Sequence, residues 1–160
     1  MTIFNEYSRL AQVVIRNPLN SFINDQKLSD EWQSLRFHSK PDLAKSINEF
    51  IEFKKLLDNT EIEIIELPSS DNLTIDSIYT RDSILISPKG LILCNMGRAS
   101  RTPEAKNNSE YLKSLGHEVA GEILAPGTLE GGDFIWLNNS QCAVGLGPRT
   151  NQEGISQLAE

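Results

Sequence analysis

The chain has 160 residues and a formal net charge of −7; it is long enough for one domain with a real core, and its acidity argues against a nucleic-acid backbone as its main partner. No window is long and apolar enough to span a bilayer, and the N-terminus lacks the basic-then-apolar pattern of a secretory signal, so no membrane role is expected and a cytoplasmic location is. Cys94 and Cys142 both stand in strand-like runs and read as reduced, buried thiols rather than a disulfide framework.

Taken in chain order, "QVVIR" (12–16) is a short apolar run stopped by "NP", a strand and a turn. "SDEWQSLRF" admits a short helix with Ser29 as its cap. In 40–60, Leu43, Ile47, Phe50, Ile51, Phe53 and Leu57 recur at helical spacing, with Pro41 near the start. "EIEIIEL" (61–67) alternates acid and apolar side chains, the pattern of a strand with one wet face. "SILIS" and "LILCN" flank "PKG" as a hairpin. A helix follows, with Thr102 as cap, Pro103 in its first position and Gly116 at its end, and then the strand "HEVAGEIL". "FIWL" and "CAVGL", joined by "NNSQ", restart the order, and "NQEGISQLAE" opens a helix capped by Thr150 or Asn151.

The strand-strand-helix order thus occurs twice, and 51 positions separate Asp82 from Asp133 (133 − 82) and Arg98 from Arg149 (149 − 98). A period near fifty with matched polar positions points to an internal repeat of an array or propeller. Residues 82–124 and 133–160 are expected to superpose, with units at about 1–75, 76–126 and 127–160.

Three polar stretches carry the chemistry. In "DSIYTRDSILI", a carboxylate at the mouth of an apolar strand is costly unless it meets a cation or several donors; Asp82 could pair with Arg81 or Arg98, or cap a turn. In "EGGD", Gly131 and Gly132 can turn the chain sharply and hold Glu130 and Asp133 on a rigid rim. A fixed carboxylate there suits the orientation of a catalytic histidine; a plain tight turn with solvated acids fits as well. In "GPRTNQEG", Arg149 suits a grip on a carboxylate, or simply faces water. His38 and His117 are poorly placed for catalysis.

The order of "NEYSRLAQVVIRNP", "DSIYTRDSILI", "LILCNMGRASRTPEA", "GTLEGGDFIWL" and "VGLGPRTNQEGI" resembles the amidinotransferase, dimethylarginine dimethylaminohydrolase and arginine deiminase superfamily over nearly the whole chain. The resemblance implies an α/β pentein fold: a propeller of five strand-strand-helix-strand units, of which this chain is the N-terminal portion with an incomplete ring. It implies a cysteine thiolate that attacks a guanidinium carbon, a histidine that shuttles protons, a glutamate that orients the histidine, and two carboxylates that hold the guanidinium. By position, Asp82 is the main guanidinium-gripping carboxylate and Asp76 its neighbour, Glu130 the histidine-orienting acid and Arg149 the anchor of the substrate carboxylate, with Arg101 in support. Arg81 stands where the dimethylargininase branch often has glutamate, so "TRD" is closer to deiminases. No metal or organic cofactor is implied.

The family's histidine and cysteine lie beyond "RTN", and Cys94 and Cys142 match neither position. The expectation is therefore the substrate-binding half of a citrulline-forming hydrolase of arginine or N-methylated arginine, inactive alone, self-associating through open strand edges, with homodimerisation of the intact protein left open. An amidinotransferase and a non-catalytic pentein-fold binding protein are the alternatives.

Overall fold

The computed structural model describes residues 8–138 and 140–160. They pack as two compact units, Leu10–Thr80 and, together with Ser8 and Arg9, Arg81–Glu160.

In the first unit, β1 (Gln12–Ile15) and β2 (Glu63–Glu66) pair in parallel, Val14 opposite Ile65. Parallel strands need a crossover, and here it carries α1 (Pro18–Ser21), α2 (Asp25–Glu31) and α3 (Leu43–Asp58). The expected cap Ser29 lies inside α2, where its hydroxyl donates to the Asp25 carbonyl; Asn24 is the cap, accepting from the Lys27 amide at 2.9 Å. Serine competes for backbone groups inside a helix as well as at its start, so its presence alone did not locate the boundary. Asp42 caps α3 through the Lys45 amide at 2.8 Å. Phe22, Leu28, Leu35 and Ile75 form the core, joined by Trp32, Phe37, Leu43 and Ile78. The Ser21 hydroxyl donates to the Ile75 carbonyl at 2.8 Å and meets the Ser77 hydroxyl at 3.0 Å, pinning the 3-10 turn Ile75–Ile78.

In the second unit, β3 (Ile84–Ser87) and β4 (Gly90–Leu93) form the expected antiparallel hairpin, Leu85 opposite Ile92. Gly90 has φ +130°, and a side chain there would strike the Glu118 carbonyl, so the turn needs glycine. After α4 (Pro103–Ser114), β5 (Val119–Glu122) returns parallel to β4. Gly116, at φ +93°, ends the helix as expected. Thr102 precedes α4 without capping it; its hydroxyl donates to the Ala99 carbonyl. β6 (Phe134–Asn138) and β7 (Gln141–Val144) make a second antiparallel hairpin, followed by α5 (Gln152–Leu158).

The strand-strand-helix order therefore recurs, while the described strands form three separate sheets with open edges, so a closed ring is not seen. The shared core is Leu85, Cys94, Met96, Ile123, Leu129 and Phe134, with the Trp136 indole bonded to the Ile86 carbonyl at 3.0 Å. Cys94 is buried as expected; Cys142, expected to be buried, is exposed. It lies on β7, all but one of whose residues face solvent, so an apolar run in a hairpin did not by itself mean a covered face.

Candidate active site

The second unit gathers Asp82, Arg101, Glu130 and Arg149; Asp76 is buried in the first unit, in the turn held by Ser21.

Asp82 ends the short 3-10 turn Thr80–Asp82 immediately before β3. The next residue, Ser83, is fully buried; its hydroxyl accepts from Asn108 of α4 at 2.9 Å, and its carbonyl accepts from the Cys94 amide at 3.0 Å. The entry to β3 is thereby tied to both its sheet and its helix. Arg101 donates from Nη1 to Asp82 Oδ2 at 2.6 Å. Its Nε and Nη2 donate to Glu104 Oε1 and Oε2 at 2.7 and 2.8 Å, a two-pronged pairing that matches the planar fork of a guanidinium. The Arg101 and Glu104 side chains are 4% and 0% exposed, whereas Asp82 is 22% exposed. Burial disfavours the charged guanidinium, but the hydrogen bonds and charge of Glu104, then of Asp82, outweigh it and raise the Arg101 pKa above its ordinary value. Arg101 stays charged, with Nε, Nη1 and Nη2 each donating to one of these two acids.

Glu130 leads into the 3-10 turn Gly131–Asp133 at the mouth of β6. Neither glycine has positive φ, so conformational freedom is not why they are there. A Cβ on Gly131 would collide with the Arg81 carbonyl oxygen, and one on Gly132 would lie 2.6 Å from Asp82 Oδ1. The glycine pair lets two strand entrances touch, bringing Glu130 and Asp82 onto adjoining segments. Arg81 strengthens the junction by donating to the Phe134 carbonyl at 2.9 Å.

Arg149 donates from Nη1 to both Glu130 oxygens, at 3.0 and 2.8 Å. Here the acid is buried, 7% exposed, and the arginine side chain is 35% exposed. Asn151 sets this loop: its Oδ1 caps α5 at the Gly154 amide and also accepts from the Thr128 amide, while its Nδ2 donates to the Pro126 carbonyl. Thr150, read from sequence only as a possible cap, is fully buried between two segments; it accepts from the Glu130 amide at 3.1 Å and donates to Asp133 Oδ2 at 2.7 Å. Glu104 was missed altogether. Its signal was there in the three-residue spacing from Arg101 across the start of a helix, a neighbour distance on a helical face.

The two ion pairs have the same span. Arg101 lies 19 residues after Asp82, and Arg149 lies 19 after Glu130. The paired chemistry repeats at 48 positions (130 − 82 and 149 − 101), not at the 51 that aligns Asp82 with Asp133. Asp133 answers to Thr150 instead.

Cys94 sits behind both acids. Burial pushes its thiol up to about 12; the charges of Asp82 and Glu130 add to the rise, and hydrogen bonds to the backbone at Leu85 and Gly131 oppose it. A thiol held protonated is no nucleophile at neutral pH.

The family described as N,N dimethylarginine dimethylhydrolase, eukaryotic, matches residues 19–160. The chain is 29% identical over 119 residues to an N(G),N(G)-dimethylarginine dimethylaminohydrolase of Pseudomonas aeruginosa, covering 74% of this chain and 46% of that one. A Pseudomonas aeruginosa enzyme of the same kind, solved as a cysteine-to-serine variant complexed with citrulline, superposes with a TM-score of 0.76 at 27% identity, covering 93% of this chain and 55% of that one. The fold is also similar to that of the product-bound N-terminal domain of ArgZ, a cyanobacterial arginine dihydrolase: TM-score 0.76 at 14% identity, covering 94% of this chain and 54% of that one. The chain spans about half the length of these relatives.

Proposed function

The chain belongs to the N,N dimethylarginine dimethylhydrolase family, and on that premise we propose that it forms the substrate-binding half of a cysteine-dependent hydrolase that converts arginine or an N-methylated arginine to citrulline. One observation carries the reading: the two ion pairs face solvent with opposite charge. Asp82 is the outward member of its pair and Arg149 the outward member of the other. A ligand with a guanidinium at one end and a carboxylate at the other complements both. Asp82 takes the cation by a charge-assisted hydrogen bond, and Arg149 takes the carboxylate with the guanidinium edge that Glu130 does not use.

In this reading Glu130 orients a histidine, and the histidine and nucleophilic cysteine come from polypeptide other than these 160 residues. Burial and a raised pKa argue against Cys94 as the nucleophile. The chain alone binds the substrate and leaves it unchanged.

The test is a titration of the isotope-labelled 160-residue chain, followed by NMR, with L-arginine and with agmatine, which lacks the carboxylate. Arginine is expected to shift the amides of Gly132 and Thr150, and agmatine that of Gly132 alone. A parallel assay is expected to find no citrulline. Equal affinity for the two ligands would remove Arg149 from the site. Citrulline formation that disappears in Cys94→Ser or Cys142→Ser would overturn the division into halves.

A further inference from the structure

We infer that Glu104 leaves Asp82 its charge: by neutralising Arg101, it makes that arginine a positioning group for Asp82 rather than the counter-ion that cancels it. The inference rests on the proposed cation-binding role of Asp82.

The argument starts from Asp82 and Arg101 alone. They would form a neutral pair, and a neutral pair has little attraction for a cationic ligand. Arginine cannot relieve this by losing its proton. The structure adds a third group. Glu104 takes two of the guanidinium's donors, Nε and Nη2, in the fork geometry and leaves Nη1 for Asp82 Oδ2. As a set the three side chains carry one net negative charge, and the only partly exposed member is Asp82. The charge available to a ligand is therefore on Asp82, while its position is set by Arg101 Nη1 on one oxygen and by the close approach of Gly132 to the other. Glu104 lies in the first turn of α4, where the helix dipole favours an ionised acid. Its fully buried side chain cannot meet a ligand, so whatever it does for binding passes through Arg101.

The second ion pair supplies an internal control. Among the described residues no third acid pairs with Arg149; there the arginine is the outward group. The extra acid occurs at the pair that presents a carboxylate.

The experiment titrates the labelled 160-residue chain with methylguanidine and with methylurea, a neutral molecule of the same shape, and follows the Gly132 amide by NMR. The wild-type chain is expected to prefer the cation by about tenfold or more, the scale of one charge-assisted hydrogen bond. Glu104→Gln is expected to cut that preference to about threefold or less, with methylurea binding little changed, and Glu104→Asp to restore it. A merely structural glutamate would weaken both probes alike, and that result overturns the inference, as does an unchanged preference. Should Glu104→Gln fail to fold, the double variant Arg101→Met, Glu104→Met decides. It leaves Asp82 uncancelled and no buried charge behind but takes away its Nη1 anchor, so both probes are expected to bind more weakly while the preference for the cation survives; loss of that preference would refute the charge-balancing role. A wild-type chain without any preference overturns the reading of Asp82 itself, and this inference with it.

Discussion

The Arg101–Asp82 and Arg149–Glu130 pairs join the same two kinds of side chain across the same 19 residues, yet they are built inside out relative to each other. At the first the cation is deep and the acid reaches solvent; at the second the acid is deep and the cation reaches solvent. What differs is the surroundings. Arg101 lies under α4, whose first turn supplies Glu104 and whose Asn108 holds the β3 entrance. Arg149 lies on the loop before α5, held by Thr150 and Asn151 and open on one side. A guanidinium with two acids, one of them fully buried, belongs to the interior; one with a single acid remains available at the surface.

The largest expected effect tests that difference directly. Arg101→Ala leaves the fully buried Glu104 without its cation, and breaking a buried pair on one side costs about 3–5 kcal/mol. Urea unfolding of the variant measures it; a loss close to that of Arg149→Ala would erase the distinction between the pairs. Next is the junction. Gly131→Ala places a Cβ against the rigid Arg81 carbonyl and is expected to cost about 1–3 kcal/mol, as overpacking does. Gly132→Ala meets the movable Asp82 carboxylate instead, so it should cost less stability and more methylguanidine affinity. Equal stability losses would argue against the close approach as the reason for both glycines.

The buried thiol behind the acids has a pH signature. Its ordinary pKa is 9.0 and the folded value is about 12, so folding favours the protonated form. The stability this confers is whole below pH 9 and is lost as pH rises from 9 through 12, at up to about 1.4 kcal/mol per pH unit. The measurement is the difference in unfolding free energy between wild type and Cys94→Ala across that range; a flat difference contradicts the burial of the charged form. The smallest effect is expected at the open pair, where Arg149→Ala should cost about 1 kcal/mol or less by urea unfolding, because solvent screens a partly exposed arginine. A larger loss would mean that Glu130 depends on Arg149 as Glu104 does on Arg101.

The elements were largely legible from local pattern. Strands β1 and β2, helix α3, both hairpins and the Gly116 stop follow from periodicity and turn chemistry that act within a few residues. The cap of α2 was misplaced because Asn24 and Ser29 are equally competent caps in isolation. The strand-strand-helix order recurs, but the 51-residue offset was a poor guide to pairing, since aligning identical residue types matched Asp133 to Asp82 while the paired acid of that segment is Glu130. Cys142 was misjudged because a strand's composition does not say whether anything covers its face.

By itself, then, the sequence determined which residues could bear charge at the mouths of β3 and β6, and where glycine would separate them. It could not determine which end of each ion pair faces water. That was decided by packing: α4 carries Glu104 onto Arg101, the glycine pair carries one strand entrance onto the other, and Thr150 seals the floor beneath Glu130. The Arg101–Glu104 pair is local, but the Asp82–Arg101 and Glu130–Arg149 pairs form only when residues 19 positions apart are brought together, and burial then decides which end faces water.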